Sequence, residues 1–496
     1  MSRQLDTWNK GFVSLYFACF IAFLNSAING YDLSLMSSII VMKPFKAVFG
    51  EISIDADPNF LAWFIGLLQL GSVIGTVFVG PIANYFGRVR TMALGSTIII
   101  AGALLEILPK SLVTLQLGRF MIGFGVVFVT TAAPTYVVEV AHPSFRGRAG
   151  AVYNTGWSVG SIPAAVITFA FANTETDVAW QIPLFVQCVF SGIVLLGCFI
   201  IPESPRWLMS KGRVEEARQF FIKYHADGDA TDPIIDEQIK AFEEMQKENE
   251  NTITTYFGLF GTSTLRYQML LLFLVAFFTQ YAGNYVSGYY IQQILPYLGV
   301  DKDNTFQTLL FNVITQIIGC LAGFAGASQA DSKNRRTLLT AGAVTTAVCM
   351  AGLTLFCGVY DATQAAVWGI IAFLFIQAFS IGYSFCYTPL QSLYCVEILS
   401  YNARATGMAF EQLLVNAVAY LQNYILSNGA NKLAWRFFGF YVVVDIIAAL
   451  TYQKYFPETK GRTLEEIEQI FEDPRGCVPA SIEYSKKDVE KPAAKK

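Results

Sequence analysis

A single carboxylate, Asp32, lies in the apolar run that begins near Gly11, with Asn29 and Asn25 one and two helical turns before it on the same face. An acid in hydrocarbon costs about 2.5–3.5 kcal/mol on insertion scales, which marks it as a functional residue. Burial disfavours the charged form of a carboxyl and a nearby cation favours it. A helix movement that alters either term makes the group bind or release a proton. Arg119 is the cation placed to do this: the first apolar span runs outward, the fourth inward, and each residue sits about two turns from the outer end of its span. The opposing reading is a static buried salt bridge that fixes helix packing.

A second set of charges repeats. "PTYVVEVAHPSFRGRAG" (134–150) and "PLQSLYCVEILSYNARATG" (389–407) each carry Tyr-x-x-Glu with an Arg seven residues after the Glu: Tyr136, Glu139, Arg146 and Tyr394, Glu397, Arg404. "NYFGRVR" (84–90) answers "DSKNRR" (331–336), and "PESPRWL" (202–208) answers "PETKGRTL" (457–464). Three matches in one order imply a duplication, and duplicated halves suit a transporter whose bundles rock about a site between them. A Glu ending one helix and an Arg starting the next can pair across the two bundles while that face is closed, forming a latch that opening must break. The latch candidates are Glu139, Arg146, Glu203, Arg206, Glu397, Arg404 and Glu458, with Arg88, Arg335 and Arg336. The alternative is charge that merely sets topology.

These residues need elements to hold them. Of the 496 residues, 54% are hydrophobic and 14% charged, far below the charged quarter of soluble domains. Twelve apolar runs have the length a helix needs to cross a bilayer: 11–36, 61–80, 92–109, 112–138, 149–172, 182–201, 267–290, 304–328, 337–358, 366–395, 403–427 and 436–456. The chain is therefore an all-α membrane protein, and its first run is a retained helix rather than a signal peptide. Basic residues collect in alternate loops (Arg88 and Arg90; Arg146 and Arg148; Lys333, Arg335 and Arg336), which places both termini in the cytoplasm. The expected organisation is an N-terminal segment 1–10, a six-helix bundle 11–201, a polar cytoplasmic linker 202–266 with short amphipathic helices, a second six-helix bundle 267–456 and a polar tail 457–496. The linker reads as a solvated bridge.

The nine cysteines form no CxxC pair and read as small buried hydrophobes, and His142 and His225 read as solvated. No metal spacing, nucleophile–base pair or Gly-rich phosphate loop occurs, so neither an enzyme, a cofactor, nor direct ATP drive is expected. Gly71/Gly75, Gly156/Gly160 and Gly319/Gly323 have the spacing of close helix packing. Glu106, Glu411 and Asp445 lie inside spans outside any motif; Glu411, less than two turns before Asn416, is placed to face a cavity.

"GYD" (30–32), "GRFMIGFGV" (118–126), the two Tyr/Glu/Arg loops, "PESPRWL" and "PETKGRTLEEI" (457–467) together resemble the sugar porter family of the major facilitator superfamily, over nearly the whole chain. Within it, "YNTGWSVGSIPAA" (153–165), "TQYAGNYVSGYY" (279–290) and "PLQSLY" (389–394) are similar to fungal lactose and cellodextrin permease-like transporters. The resemblance implies twelve transmembrane helices in two pseudo-symmetric six-helix bundles. It also implies that Asp32 is the protonation site and Arg119 its partner.

A sugar site needs neutral amides for hydroxyls and aromatic faces for the C–H sides of the ring. By resemblance, Asn154 stands where the family has a sugar-binding Gln, and Gln280, ten residues before Tyr290, matches the second Gln of the span-seven pattern. Thr279 replaces its first Gln, and Tyr285 falls where the family has Asn, with Asn284 just before it. Tyr289 and Tyr290 match paired tyrosines whose implied role is outer gating, and Asn416 matches a family Asn if one extra residue is allowed. Any one of these amides can instead glue helices together. The stacking Trp of span ten aligns with Ser392, and Asn84 stands where the family has Asp, its counterpart being Asp331. A tight glucose pocket is therefore not expected, and a disaccharide or another polyol remains open. The reading is a monomeric, proton-coupled sugar importer of the plasma membrane, with sugar, protons and lipid as partners and no nucleic acid. An uncoupled facilitator and a sugar sensor are the alternatives.

Overall fold

The structure is a computed structural model of the whole chain, and it describes residues 10–52, 57–107, 111–142, 146–248, 256–288, 304–330, 333–399, 401–460 and 471. The backbone is helical, because a chain in hydrocarbon must satisfy its own N–H and C=O groups. Among the described residues twelve long helices form: α1 (Lys10–Ile39), α2 (Pro58–Phe86), α3 (Arg88–Ile107), α4 (Leu112–Val140), α5 (Arg146–Ala170), α6 (Val178–Cys198), α7 (Ser263–Gln280), α8 (Thr305–Ala330), α9 (Arg335–Thr363), α10 (Ala366–Ile398), α11 (Tyr401–Leu433) and α12 (Phe438–Tyr455). Ten segments have the length and apolarity of a membrane span; one, Thr406–Tyr455, holds both α11 and α12, and α5 contributes the shorter apolar stretch Gly156–Ala170. The twelve expected spans are thus all present, and no strand occurs among the described residues.

The pattern is that of a soluble protein turned outward. Phe20, Val77, Phe78, Leu421 and Leu450 are exposed on the perimeter, while Asn25, Asp32, Gln69, Glu106 and Arg119 are buried. Packing within each half joins α1 to α4, α5 and α6, and α9 to α10 and α12; the halves meet where α2 packs on α11 and α5 on α8. Glycine makes the closest crossings. A Cβ on Gly30 would fall inside the backbone carbonyl of Trp157, and one on Gly160 inside that of Ala27, so α1 and α5 touch backbone to backbone beside Asp32.

One apolar core, holding Leu35, Phe64 and Trp180 with Val286, Leu309 and Leu426, draws residues from both bundles at the end remote from the termini. At the terminal end the cores are separate: Phe12, Val140 and Tyr153 belong to one, Leu272, Tyr394 and Ala448 to the other.

The linker departs from a solvated bridge. Its helix Val214–Tyr224 buries Ala217, Phe220, Phe221 and Tyr224 against the first bundle. His225 and His142 are buried there too, with ring centroids 5.2 Å apart and the His225 Nε2 3.0 Å from the carbonyl oxygen of Val140. Sequence polarity hid this because an amphipathic helix is mostly charged by composition yet docks through one apolar face.

Candidate functional site

Between the bundles lies a cavity of about 350 Å³, at the lower end of the range for small-ligand pockets. α7 breaks to shape it. The helix stops at Gln280, Gly283 turns with φ of 101°, and a short helix restarts at Asn284, which brings Gln280, Asn284 and Tyr285 to the cavity wall. Across from them, the first bundle supplies Asn29, Gln69, Trp157 and Ser158. The Gln69 amide meets the Tyr285 hydroxyl, linking the bundles at the cavity. Asn416 also lines it; its Nδ2 donates to the carbonyl of Gln412 at 2.8 Å, leaving Oδ1 as an acceptor for a ligand.

Four expected residues, Gln280, Asn284, Tyr285 and Asn416, therefore share one cavity. Asn154 lies on α5, its side chain outside the described residues; Tyr289 and Tyr290 fall outside them altogether. Sequence reasoning missed Gln69, Gln391 and Gln412 as lining amides. The signal was there, an isolated Gln in an apolar span, but helix rotation decides whether such a residue faces a cavity or a neighbour. Ser392 is not part of the wall, and the aromatic faces come from Trp157, Tyr285, Phe379 and Tyr383. Glu411 sits just behind the wall, fully buried, where its Oε2 accepts from Gln412 Nε2 at 2.9 Å. Asp445 is buried within the second bundle.

The cavity is sealed at the end remote from the termini. Ser427 Oγ donates to the carbonyl of Pro58 at 2.6 Å, Asn428 Nδ2 to Asn59 Oδ1 at 2.7 Å and Asn312 Nδ2 to Ser38 Oγ at 2.7 Å, all between bundles. The Phe169 and Phe306 rings meet across the same seam, tilted by 46° with centroids 4.9 Å apart. At the terminal end the two bundles keep separate apolar cores, and the cavity opens that way.

Asp32 does not line the cavity. It is wholly buried inside the first bundle, while Asn29, Leu33 and Ser34 on either side of it face the cavity. Arg119 is buried as well, and it and Glu106 are the charged groups whose fields reach Asp32. Neither oxygen of Asp32 accepts a hydrogen bond, so the expected pair is close enough to interact without being joined.

The repeated charges at the terminal end pair inside each bundle. Glu139 accepts from Arg88 Nε and Nη2, both at 3.1 Å, and from Ser204 Oγ. Glu397 accepts from Arg335 Nη2 at 3.1 Å and from Thr459 Oγ1 at 2.5 Å. Glu203 caps α3 through the N–H groups of Arg88 (2.9 Å) and Val89 (3.2 Å), and Glu458 caps α9 through those of Arg335 (2.9 Å) and Arg336 (3.2 Å). Tyr136 and Tyr394 donate to the carbonyls of Pro202 and Pro457. The duplication read from spacing thus reappears bond for bond. The cross-bundle latch does not: with this end open, Glu139 and Glu397 turn to arginines of their own half. Arg404 Nη2 reaches the carbonyl of Leu399 at 3.3 Å. Arg206 is half-buried in the helix Pro205–Ser210, and the side chain of Arg146 and all of Asp331 lie outside the described residues.

Two helical bundles closed at one end around a polar cavity, with a buried acid beside it, define a membrane transporter of the major facilitator fold. The chain belongs to the sugar (and other) transporter family, whose model matches residues 18–471. It is 26% identical to a probable quinate permease of Aspergillus fumigatus, covering 92% of this chain and 87% of that one. To sugar transport protein 4 of Arabidopsis thaliana it is 23% identical, covering 92% and 90%. Among solved structures it resembles the proton:xylose symporter XylE bound to 6-bromo-6-deoxy-D-glucose, with a TM-score of 0.73 and 23% identity over 93% of this chain and 99% of that one. An inward-open conformation of the E. coli xylose transporter XylE matches with a TM-score of 0.74 and 20% identity, over 92% and 99%. These relatives and neighbours are transporters, not enzymes.

Proposed function

We propose that the chain imports an uncharged polyhydroxy solute, a hexose or disaccharide, by alternating access, with proton movement at Asp32 and Arg119 as the drive. The observation that carries this is the cavity wall: amides and aromatic rings from both bundles, with no charged side chain among its described residues. Hydroxyls suit such a wall. A carboxylate, such as the substrate in the name of the quinate permease relative, would lose its hydration there without gaining a cation. The positions of basic residues argue that the terminal end is cytoplasmic, so the cavity faces inward in this structure.

Coupling is a matter of position. Asp32 shares a helix with Asn29 and Ser34 of the cavity wall, so a sugar that shifts α1 also shifts the acid relative to Arg119. One chain completes the cavity, which supports a monomer, placed in the plasma membrane, with bundles at 11–201 and 267–456 joined by the linker 202–266. The test is a panel of mono- and disaccharides given to a transporter-null host expressing the chain, with medium alkalinisation recorded beside uptake. Alkalinisation in step with one sugar supports symport. Asp32→Asn is expected to abolish uphill uptake and keep some exchange, and unchanged proton-driven accumulation in that variant would refute the role of Asp32.

A further inference from the structure

Glu106 belongs to no family motif quoted above, yet it sits in the same buried cluster as Asp32. It lies in the last turn of α3, with no solvent exposure. There α3 and α4 cross closely: a Cβ on Gly118 would stand 2.6 Å from Glu106 Cγ, and one on Gly102 would stand 2.9 Å from the Gly118 carbonyl. The missing side chains let the Glu106 carboxyl lie over Gly118, next to Arg119. Neither oxygen of Glu106 accepts a hydrogen bond, neither oxygen of Asp32 does, and Arg119 Nε donates to nothing. The groups that face this cluster from every helix packed on it are Asp32 and Tyr31 on α1, Arg119 on α4 and Cys188 on α6. Among the described residues, Arg119 is the one cation whose field reaches either acid.

Charge then decides. One guanidinium balances one carboxylate, and a second ionised carboxylate sealed in the same dry bundle has no partner. We propose that Asp32 and Glu106 share one proton around Arg119, so that Glu106 is the second member of the coupling site and the cluster is neutral when it carries one proton. Two acids in the field of one cation titrate as a unit, and the proton belongs to the pair. In transport, the incoming proton converts a neutral cluster to a singly positive one, and the move of α1 relative to α3 and α4 decides which acid holds the resident proton. The use of this cluster rests on the proton-coupled reading above; its existence does not.

The test is infrared spectroscopy of the purified full chain near neutral pH, reading the C=O band of protonated carboxyls. Asp32→Asn leaves Glu106 ionised against Arg119, and Glu106→Gln leaves Asp32 ionised against it. Each single variant is expected to lose one protonated-carboxyl band, and the double variant to lose no more than either. A Glu106→Gln spectrum equal to that of the wild type, or a double variant losing two bands, would overturn the proposal. If Glu106→Gln does not reach the membrane, Glu106→Asp keeps the acid and should move the band; an unmoved band overturns the proposal equally. Symport is judged separately by alkalinisation, so a wild type that moves sugar without protons defeats the coupled reading and leaves the band count to decide on Glu106.

Discussion

Arg88 grips Glu139 with two parallel N–H bonds of 3.1 Å, and both residues belong to the same bundle. Arg335 and Glu397 repeat the arrangement in the second bundle. Each pair ties the start of one helix to the end of the next, α3 to α4 and α9 to α10, so each bundle keeps its own shape at the open end while the two move apart. The pairs stiffen the moving bodies; they do not hold them together in this state.

Breaking either pair should destabilise its bundle. Arg88→Ala leaves Glu139, whose side chain is 9% exposed, against Ser204 alone. Fully buried pairs cost 3–5 kcal/mol to break, and partial exposure of Arg88 reduces this to about 2 kcal/mol. Thermal melts of detergent-purified protein should show equal losses, within about 1 kcal/mol, for Arg88→Ala and Arg335→Ala, the two variants being additive because they lie in separate bundles.

Glu203 supplies a pH test outside the membrane. Burial pushes its carboxyl above the ordinary glutamate value, and the backbone N–H groups of Arg88, Val89 and Ser204 draw it only part of the way back. A carboxyl more easily protonated when folded lends its full stabilisation below its ordinary value of 4.5 and loses it as the pH climbs through the raised value. Glu203→Gln keeps an acceptor for the α3 cap without the buried charge. Its melting temperature relative to wild type should rise with pH across that window, and a flat difference from pH 4 to 8 would contradict this.

Gln280→Ala should raise the KM for the transported sugar about tenfold or more with little change in the amount of protein in the membrane. It removes a hydrogen-bonding amide from the cavity, worth about 1–2 kcal/mol, and leaves a sugar hydroxyl unpaired. The same change at Gln268, buried in α7 away from the cavity wall, should alter stability and not KM.

The seal at the remote end predicts a state shift. Asn59→Asp together with Asn428→Asp puts two like charges where one amide now donates to another at 2.7 Å. Repulsion there should raise the share of molecules open at that end, read as faster labelling of a cysteine introduced at Ser38, which now accepts from Asn312. Unchanged labelling would mean the bond does not bear on closure.

Gly160→Leu should prevent folding, because its Cβ would overlap the carbonyl of Ala27 and backbone cannot step aside. Gly323→Leu, whose Cβ has only ordinary contact at 3.9 Å, should be tolerated, although both glycines stand in the same spacing in the sequence.

That contrast marks the boundary between what the chain determines locally and what it does not. The twelve helices and the duplication were legible in one dimension, because hydrocarbon forces an apolar run of sufficient length to be a helix and a copied loop keeps its residue spacing. Asp32 and Arg119 stood out for the same reason: charge is rare where charge is expensive. Only the packed structure decided which polar residues face the cavity and which face a neighbouring helix. Asn29 and Asp32 are less than one turn apart, yet one lines the cavity and the other is enclosed, since the glycine crossing of α1 on α5 sets the rotation of the helix. Tertiary contact also placed Glu106 beside Arg119, docked the linker helix on the first bundle and turned Glu139 to Arg88. Spacing along a chain records which residues share a helix face, and the partner of that face is supplied by helices distant in sequence.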